Sequence, residues 1–150
     1  MFRYFTVYGP AGRPDMMPFR MVQWISEGRP VTVYGDGSQS RDFTYVDDIA
    51  RGTLAGLQPV GYEVVNLGSD QPVVLMDAIR RVEQLVGRQA HLVYRPGHPA
   101  DVPATWADIG KARCLLDWRP QVAFQDGAAE LVGWYAQTRA WARDIETQSA

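Results

Sequence analysis

Within "RDFTYVDDIARG" (41–52) of this 150-residue chain lie Arg41, two aromatics and three carboxylates. Arg41 is the group best suited to chemistry, because a planar guanidinium can grip a phosphate or carboxylate with two parallel N–H donors. Asp47 and Asp48 could hold a metal ion or share acid–base work. Adjacent residues point in different directions, however, and no nearby histidine completes a ligand set. A helix cap followed by a dipole-favoured second acid is the simpler reading. Tyr8, Tyr34, Phe43 and Tyr45 could stack on a base or sugar, though strand aromatics more often fill a core. "GPAG" (9–12) and "YGDG" (34–37) resemble phosphate cradles, but neither extends to a dinucleotide or Walker spacing with a helix behind it. Turn chemistry accounts for both. His91 and His98 have no partner spacing for a metal. These residues therefore define no metal site and no catalytic group.

The elements that must carry these side chains alternate between strand and helix. Residues 2–8 are aromatic and β-branched, as a strand requires, and stop at "GPAGRPD" (9–15). Met17, Met21, Trp24 and Ile25 then follow helical spacing up to Gly28, with Pro18 in the first turn. Residues 31–34 and 41–46 read as a strand pair joined by "GDGSQS" (35–40). Asp47 is expected to cap a helix over 48–57 that buries Ile49, Leu54 and Leu57. A strand over 62–67 precedes an amphipathic helix carrying Met76, Ile79, Val82, Leu85 and Val86, which Gly87 ends. Strand 91–94 leads into the proline-rich loop "RPGHPADVPAT" (95–105). Asp108 caps a short helix through Leu116, and "DWRPQVAFQDG" (117–127) connects to a last helix from Gly127 to about Ile145. The pattern is mixed α/β, without repeats.

Composition narrows the function classes. A hydrophobic share of 46% and a charged share of 21% are those of a globular domain. A net charge of −2 argues against nucleic acid or an anionic membrane as partner. No apolar run approaches the roughly 20 residues of a membrane span. Cys114 stands alone, so no internal disulfide forms and a cytoplasmic location is expected. Of fifteen basic residues only Lys111 is lysine.

Several stretches together resemble the extended short-chain dehydrogenases/reductases that act on nucleotide sugars. They are similar above all to the UDP-glucuronate 4-epimerases within the NAD-dependent epimerase/dehydratase family. "FRYFTVYGPAGRPDMMPF" resembles the family's late Rossmann strand and the substrate loop after it. "VTVYGDGSQSRDFTYVDDIARG" resembles its hairpin and following helix. "VVNLGS", "DVPATWAD", "CLLDWRP" and "LVGWY" resemble later landmarks, in order, so that the likeness runs over residues 2–135.

The resemblance implies an α/β fold: the C-terminal substrate lobe of an extended Rossmann enzyme, a single domain over 1–150. It retains one late Rossmann strand and lacks the N-terminal dinucleotide-binding core. Family members oxidise a sugar carbon with NAD and return the hydride to the other face, using a tyrosine activated by lysine. Ala107 stands four positions before Lys111, so the Tyr-x-x-x-Lys pair is absent, as is the glycine-rich loop. The expectation is a chain that binds a UDP-sugar but not NAD, and that is not catalytic alone. By the family pattern Arg41 pairs with the diphosphate, Tyr34 lies along the nucleoside, and Asn66 offers its amide to the nucleotide. The loop that includes Arg13, Met17 and Phe19 lines the uridine and sugar, while Thr6 and Tyr8 face the sugar–nicotinamide junction. Asp101 resembles the acid that accompanies a second phosphate arginine, with Arg95 six positions before it. A bared strand edge would also favour a homodimer, or a separate Rossmann chain that completes a split enzyme. A non-catalytic interaction module using that strand is the competing reading.

Overall fold

The computed structural model describes residues 1–58, 61–97 and 101–147; His98 and the middle of its loop lie outside these. Residues 2–8 form two short strands rather than one, β1 (Phe2–Tyr4) and β2 (Thr6–Tyr8). The break at Phe5 marks a change of partner. β1 runs parallel to β6 (Val65–Leu67), whereas β2 runs parallel to β5 (Phe43–Tyr45). The Phe5 N–H still donates to the Leu67 carbonyl at 3.1 Å, so no backbone donor is wasted at the switch.

The expected strand pair around "GDGSQS" is not a hairpin. β3 (Pro30–Tyr34) pairs in parallel with β8 (His91–Arg95), while β4 (Ser40–Arg41) pairs antiparallel with β7 (Val73–Val74). The two strands joined by the glycine turn thus enter different sheets. Alternation of residue types signals a strand but not its neighbour.

Helix α1 (Met17–Glu27) and helix α3 (Leu75–Val86) follow the apolar spacing read above, and Gly28 and Gly87 end them in the left-handed conformation. Helix α2 (Val46–Ala55) begins earlier than expected: Tyr45 is its N-cap residue, and Asp47 and Asp48 lie in the first turn. Leu54 and Leu57 are 65% and 80% exposed, so only Ile49 of the expected apolar trio is buried. Strand β6 starts at Val65, leaving Tyr62 in the connection at 86% exposure. Helix α4 (Gly110–Leu116) starts behind Asp108, whose carboxylate accepts the Gly110 N–H at 2.8 Å. Helix α5 (Phe124–Ala142) starts three residues early.

Two apolar clusters hold these elements. The larger gathers α1, β3, β5, α3 and α5 around Tyr8, Met21, Ile25, Phe43, Ile79 and Tyr135. The smaller joins Ile49 of α2 to Val65, Leu67, Ala112 and Trp118. No helix among the described residues is long and apolar enough to cross a membrane.

Candidate functional site

Two buried carboxylates, one on each side of β5, fix the frame of the site. Asp42 is fully buried, and its Oδ1 accepts the Ser69 N–H at 2.6 Å and the Thr44 hydroxyl at 3.1 Å. Its Oδ2 accepts the N–H groups of Asp70 and Ala107 at 3.1 and 3.0 Å. One side chain therefore ties β4–β5 to the turn after β6 and to the strand-like segment before α4. The close approach demands Gly68: a Cβ there would stand 2.2 Å from the Ala107 Cβ and 3.1 Å from Asp42. Asp48, also buried, pairs with Arg51 and accepts the Gln121 and Val122 N–H groups, and the Trp118 indole donates to its carbonyl. Asp47 is exposed. Both buried acids are spent on backbone donors, and among the described residues no group of three or more His, Cys, Asp or Glu could hold a metal ion.

Arg41 precedes Asp42 and, by strand alternation, turns to the opposite side. Its Nη1 donates to the Ser40 and Val102 carbonyls at 2.8 and 2.9 Å, which fixes the guanidinium plane without neutralising its charge. It borders a cavity of about 300 Å³ that also takes in Thr6, Met17, Tyr34 and Asp101. Half of the ten residues singled out in the sequence therefore meet at one place. The wall is completed by Asp15, Met16, Arg20, Trp24, Thr32, Gln39, Phe43 and Leu75. Gln39 donates to the Tyr34 carbonyl at 3.1 Å and so steadies the turn between β3 and β4.

The other five residues lie outside this cavity. Tyr8 and Phe19 are core side chains, each 3% exposed; Tyr8 packs against Phe43, Tyr45 and Phe124, and burial pushes its phenol well above the usual range. Asn66 donates to the Asp108 carbonyl at 3.0 Å, on the strand beside β1. Arg95 is exposed at the end of β8, opposite Tyr34 in register. Arg13 is exposed and bonds Asp15 through two nitrogens, a contact that holds the Asp15 carboxyl below the usual carboxylate range. It stands at the rim, one partner removed from the cavity wall.

Sequence reasoning missed Arg20. Its signal was present: Arg20 interrupts the apolar stripe of α1, three residues after Met17 and four before Trp24, where a helix side chain faces inward. Its guanidinium lies 5.8 Å from the Trp24 ring centroid. The cavity thus offers two guanidinium groups, aromatic and apolar walls, and one carboxylate, Asp15, already engaged by Arg13. This arrangement suits an anionic ligand with a planar ring, in a volume at the lower end of the usual small-molecule range of roughly 300–1,000 Å³. A larger hollow of about 410 Å³ between β7 and the start of α5 has Asp77 as its charged group and lacks convergent donors.

Residues 1–68 match the model of the NAD dependent epimerase/dehydratase family. The UDP-glucuronate 4-epimerase of Thermodesulfobacterium geofontis is 53% identical over 133 residues, which cover 88% of this chain and 41% of that protein. Among solved structures, the UDP-glucuronic acid 4-epimerase of Bacillus cereus in complex with UDP-glucuronic acid and NAD aligns with a TM-score of 0.85 at 40% identity, over 91% of this chain and 45% of that one. The Thermotoga maritima UDP-glucose 4-epimerase with UDP-glucose aligns at 0.87 and 28% identity, over 92% and 46%. The chain spans less than half the length of each of these relatives.

Proposed function

With residues 1–68 belonging to the NAD dependent epimerase/dehydratase family, we propose that this chain is the UDP-sugar-binding lobe of such an enzyme, a partial extended short-chain dehydrogenase/reductase fold, not catalytic by itself. The observation that carries the proposal is the convergence of Thr6, Met17, Tyr34, Arg41 and Asp101 on one cavity. Arg41 is the diphosphate ligand: its plane is fixed by two carbonyls, and its charge has no carboxylate partner among the described residues. Tyr34 supports the nucleoside, and Thr6 and Met17 face the sugar side. Arg13, through Asp15, guards the rim. Asn66, Tyr8, Phe19 and Arg95 act indirectly, by holding the strands and helix that form the walls.

The glycine turns speak against a dinucleotide site within this chain. The Gly12 N–H closes on the Gly9 carbonyl at 3.1 Å, and a Cβ at Gly9 would stand 2.7 Å from Val46. That turn is filled by packing and leaves no cradle, so no step is routed through NAD here.

Calorimetric titration with UDP, UDP-glucuronate and NAD tests the proposal. UDP and UDP-glucuronate should bind and NAD should not. Arg41→Ala should weaken UDP about ten- to a hundredfold, the equivalent of about 1.5–3 kcal/mol for a charge-assisted hydrogen bond. Unchanged UDP affinity in that variant, or tight NAD binding by the parent chain, would overturn it. A second reading, in which a separate chain supplies the dinucleotide half, draws on β1. Its Tyr4 is 49% exposed, and β6 is its strand partner among the described residues.

A further inference from the structure

Arg20 is the charged group of the cavity that the diphosphate assignment leaves without a task. Its Nε is buried and has no hydrogen-bond partner among the described residues. A buried donor left alone is costly, so the arrangement is complete only when an acceptor is brought in. The residues around the cavity divide by chemistry. Gln39, Arg41 and Asp101 make a polar end, whereas Trp24, Thr32, Tyr34 and Leu75 make a largely apolar, aromatic one. Thr32 and Tyr34 are two apart on β3 and share a face. Phosphate oxygens favour the first end and a flat heterocycle the second. Arg20 belongs to the second, because its guanidinium packs over Trp24.

We propose that Arg20 reads the base of the nucleotide. Its N–H donors meet a ring carbonyl of uracil and disfavour cytosine, which presents an amino group on the same edge. The inference rests on the cavity being the UDP-sugar site proposed above, and adds to it a residue that sets base specificity. A guanidinium gives donors only, so the discrimination follows from the mismatch of donor against donor.

The test is calorimetry with UDP, CDP and inorganic pyrophosphate on the parent chain, Arg20→Met, Arg20→Gln and Arg41→Ala, with unfolding midpoints confirming that each variant folds. The parent should prefer UDP to CDP by about tenfold or more. Arg20→Met should lose that preference, through a fall in UDP affinity, with pyrophosphate binding unchanged. Arg20→Gln, which keeps an amide donor without the charge, should retain part of it. Arg41→Ala should weaken both nucleotides alike and leave their ratio intact. If Arg20→Met weakens UDP, CDP and pyrophosphate equally, Arg20 is a phosphate cation and the base assignment is wrong. If Arg41→Ala loses UDP while Arg20→Met keeps the parental ratio, the site stands and the base assignment alone is overturned. A parent chain that binds no UDP overturns the site reading, and this inference falls with it.

Discussion

Replacing Asp42 by asparagine isolates the contribution of the carboxylate that frames the site. The asparagine side chain has the same shape but offers one acceptor oxygen and one donor nitrogen. Placing the nitrogen at the Oδ1 position costs least, because the Thr44 hydroxyl can rotate to accept from it, whereas the Ser69 N–H then faces another donor. One partly buried backbone donor left unmade costs about 1–3 kcal/mol. The bonds from Asp70 and Ala107 survive but lose their charge assistance, about 1 kcal/mol each. The sum is about 3–4 kcal/mol, within the roughly 5–15 kcal/mol that holds an ordinary domain together. In urea, with a slope of about 1–3 kcal/mol/M, the midpoint should fall by about 1 M or more. Amide hydrogen exchange should show lost protection at Ser69 and Ala107. Asp47→Asn, at the exposed acid five residues on, should stay within about 0.5 kcal/mol of the parent. An Asp42→Asn midpoint equal to that of Asp47→Asn would refute the idea that Asp42 is a structural anchor.

Two further perturbations probe the frame. Gly68→Ala should cost about 1–3 kcal/mol through overpacking against Ala107, and Ala107→Gly in the same chain should recover part of the loss in a urea-unfolding double-mutant cycle. Glu27 carries the pH dependence of the α1–α5 contact. The Arg139 guanidinium bonds its carboxylate at 2.8 and 3.1 Å, the Tyr135 hydroxyl donates at 3.0 Å, and together they hold its pKa below the ordinary 4.5. A depressed folded-state value stabilises above the unfolded value and is lost as pH falls through the folded one. The stability advantage of the parent over Glu27→Gln should therefore be full at neutral pH and shrink below about 4.5, as read by unfolding midpoints across that range.

The sequence revealed more of the helices than of the sheet. The apolar spacing of α1 and α3, with a glycine behind each, depends on local geometry alone, and both elements lie where that spacing puts them. Strand partners depend on what folds back from a distance. Nothing within residues 30–46 shows that β3 pairs with β8 and β4 with β7, so the hairpin reading failed. Leu54 and Leu57 failed for the same reason: an apolar residue on a helix is buried only if another element covers it, and none does. Arg41 was legible because its chemistry is unusual for a strand end. Asp42 was hidden beside it, since a carboxylate that accepts four hydrogen bonds from residues 44, 69, 70 and 107 looks locally like any surface acid. Arg20 was hidden in the opposite way, as a charge in an apolar stripe that was counted by its hydrophobic members.

The cavity draws Thr6 from β2, Arg20 from α1, Tyr34 from β3, Arg41 from β4 and Asp101 from the segment after β8. No piece of the chain shorter than residues 6–101 contains all five, so the site exists only once the strands have found their distant partners. Occupancy and folding are then two readings of one equilibrium. A ligand that binds the folded chain alone adds RT ln(1 + [L]/Kd) to its stability, about 2.7 kcal/mol at a hundred times the dissociation constant. Binding across these five elements thereby acts as a reversible cross-link, one that exists only while ligand is supplied.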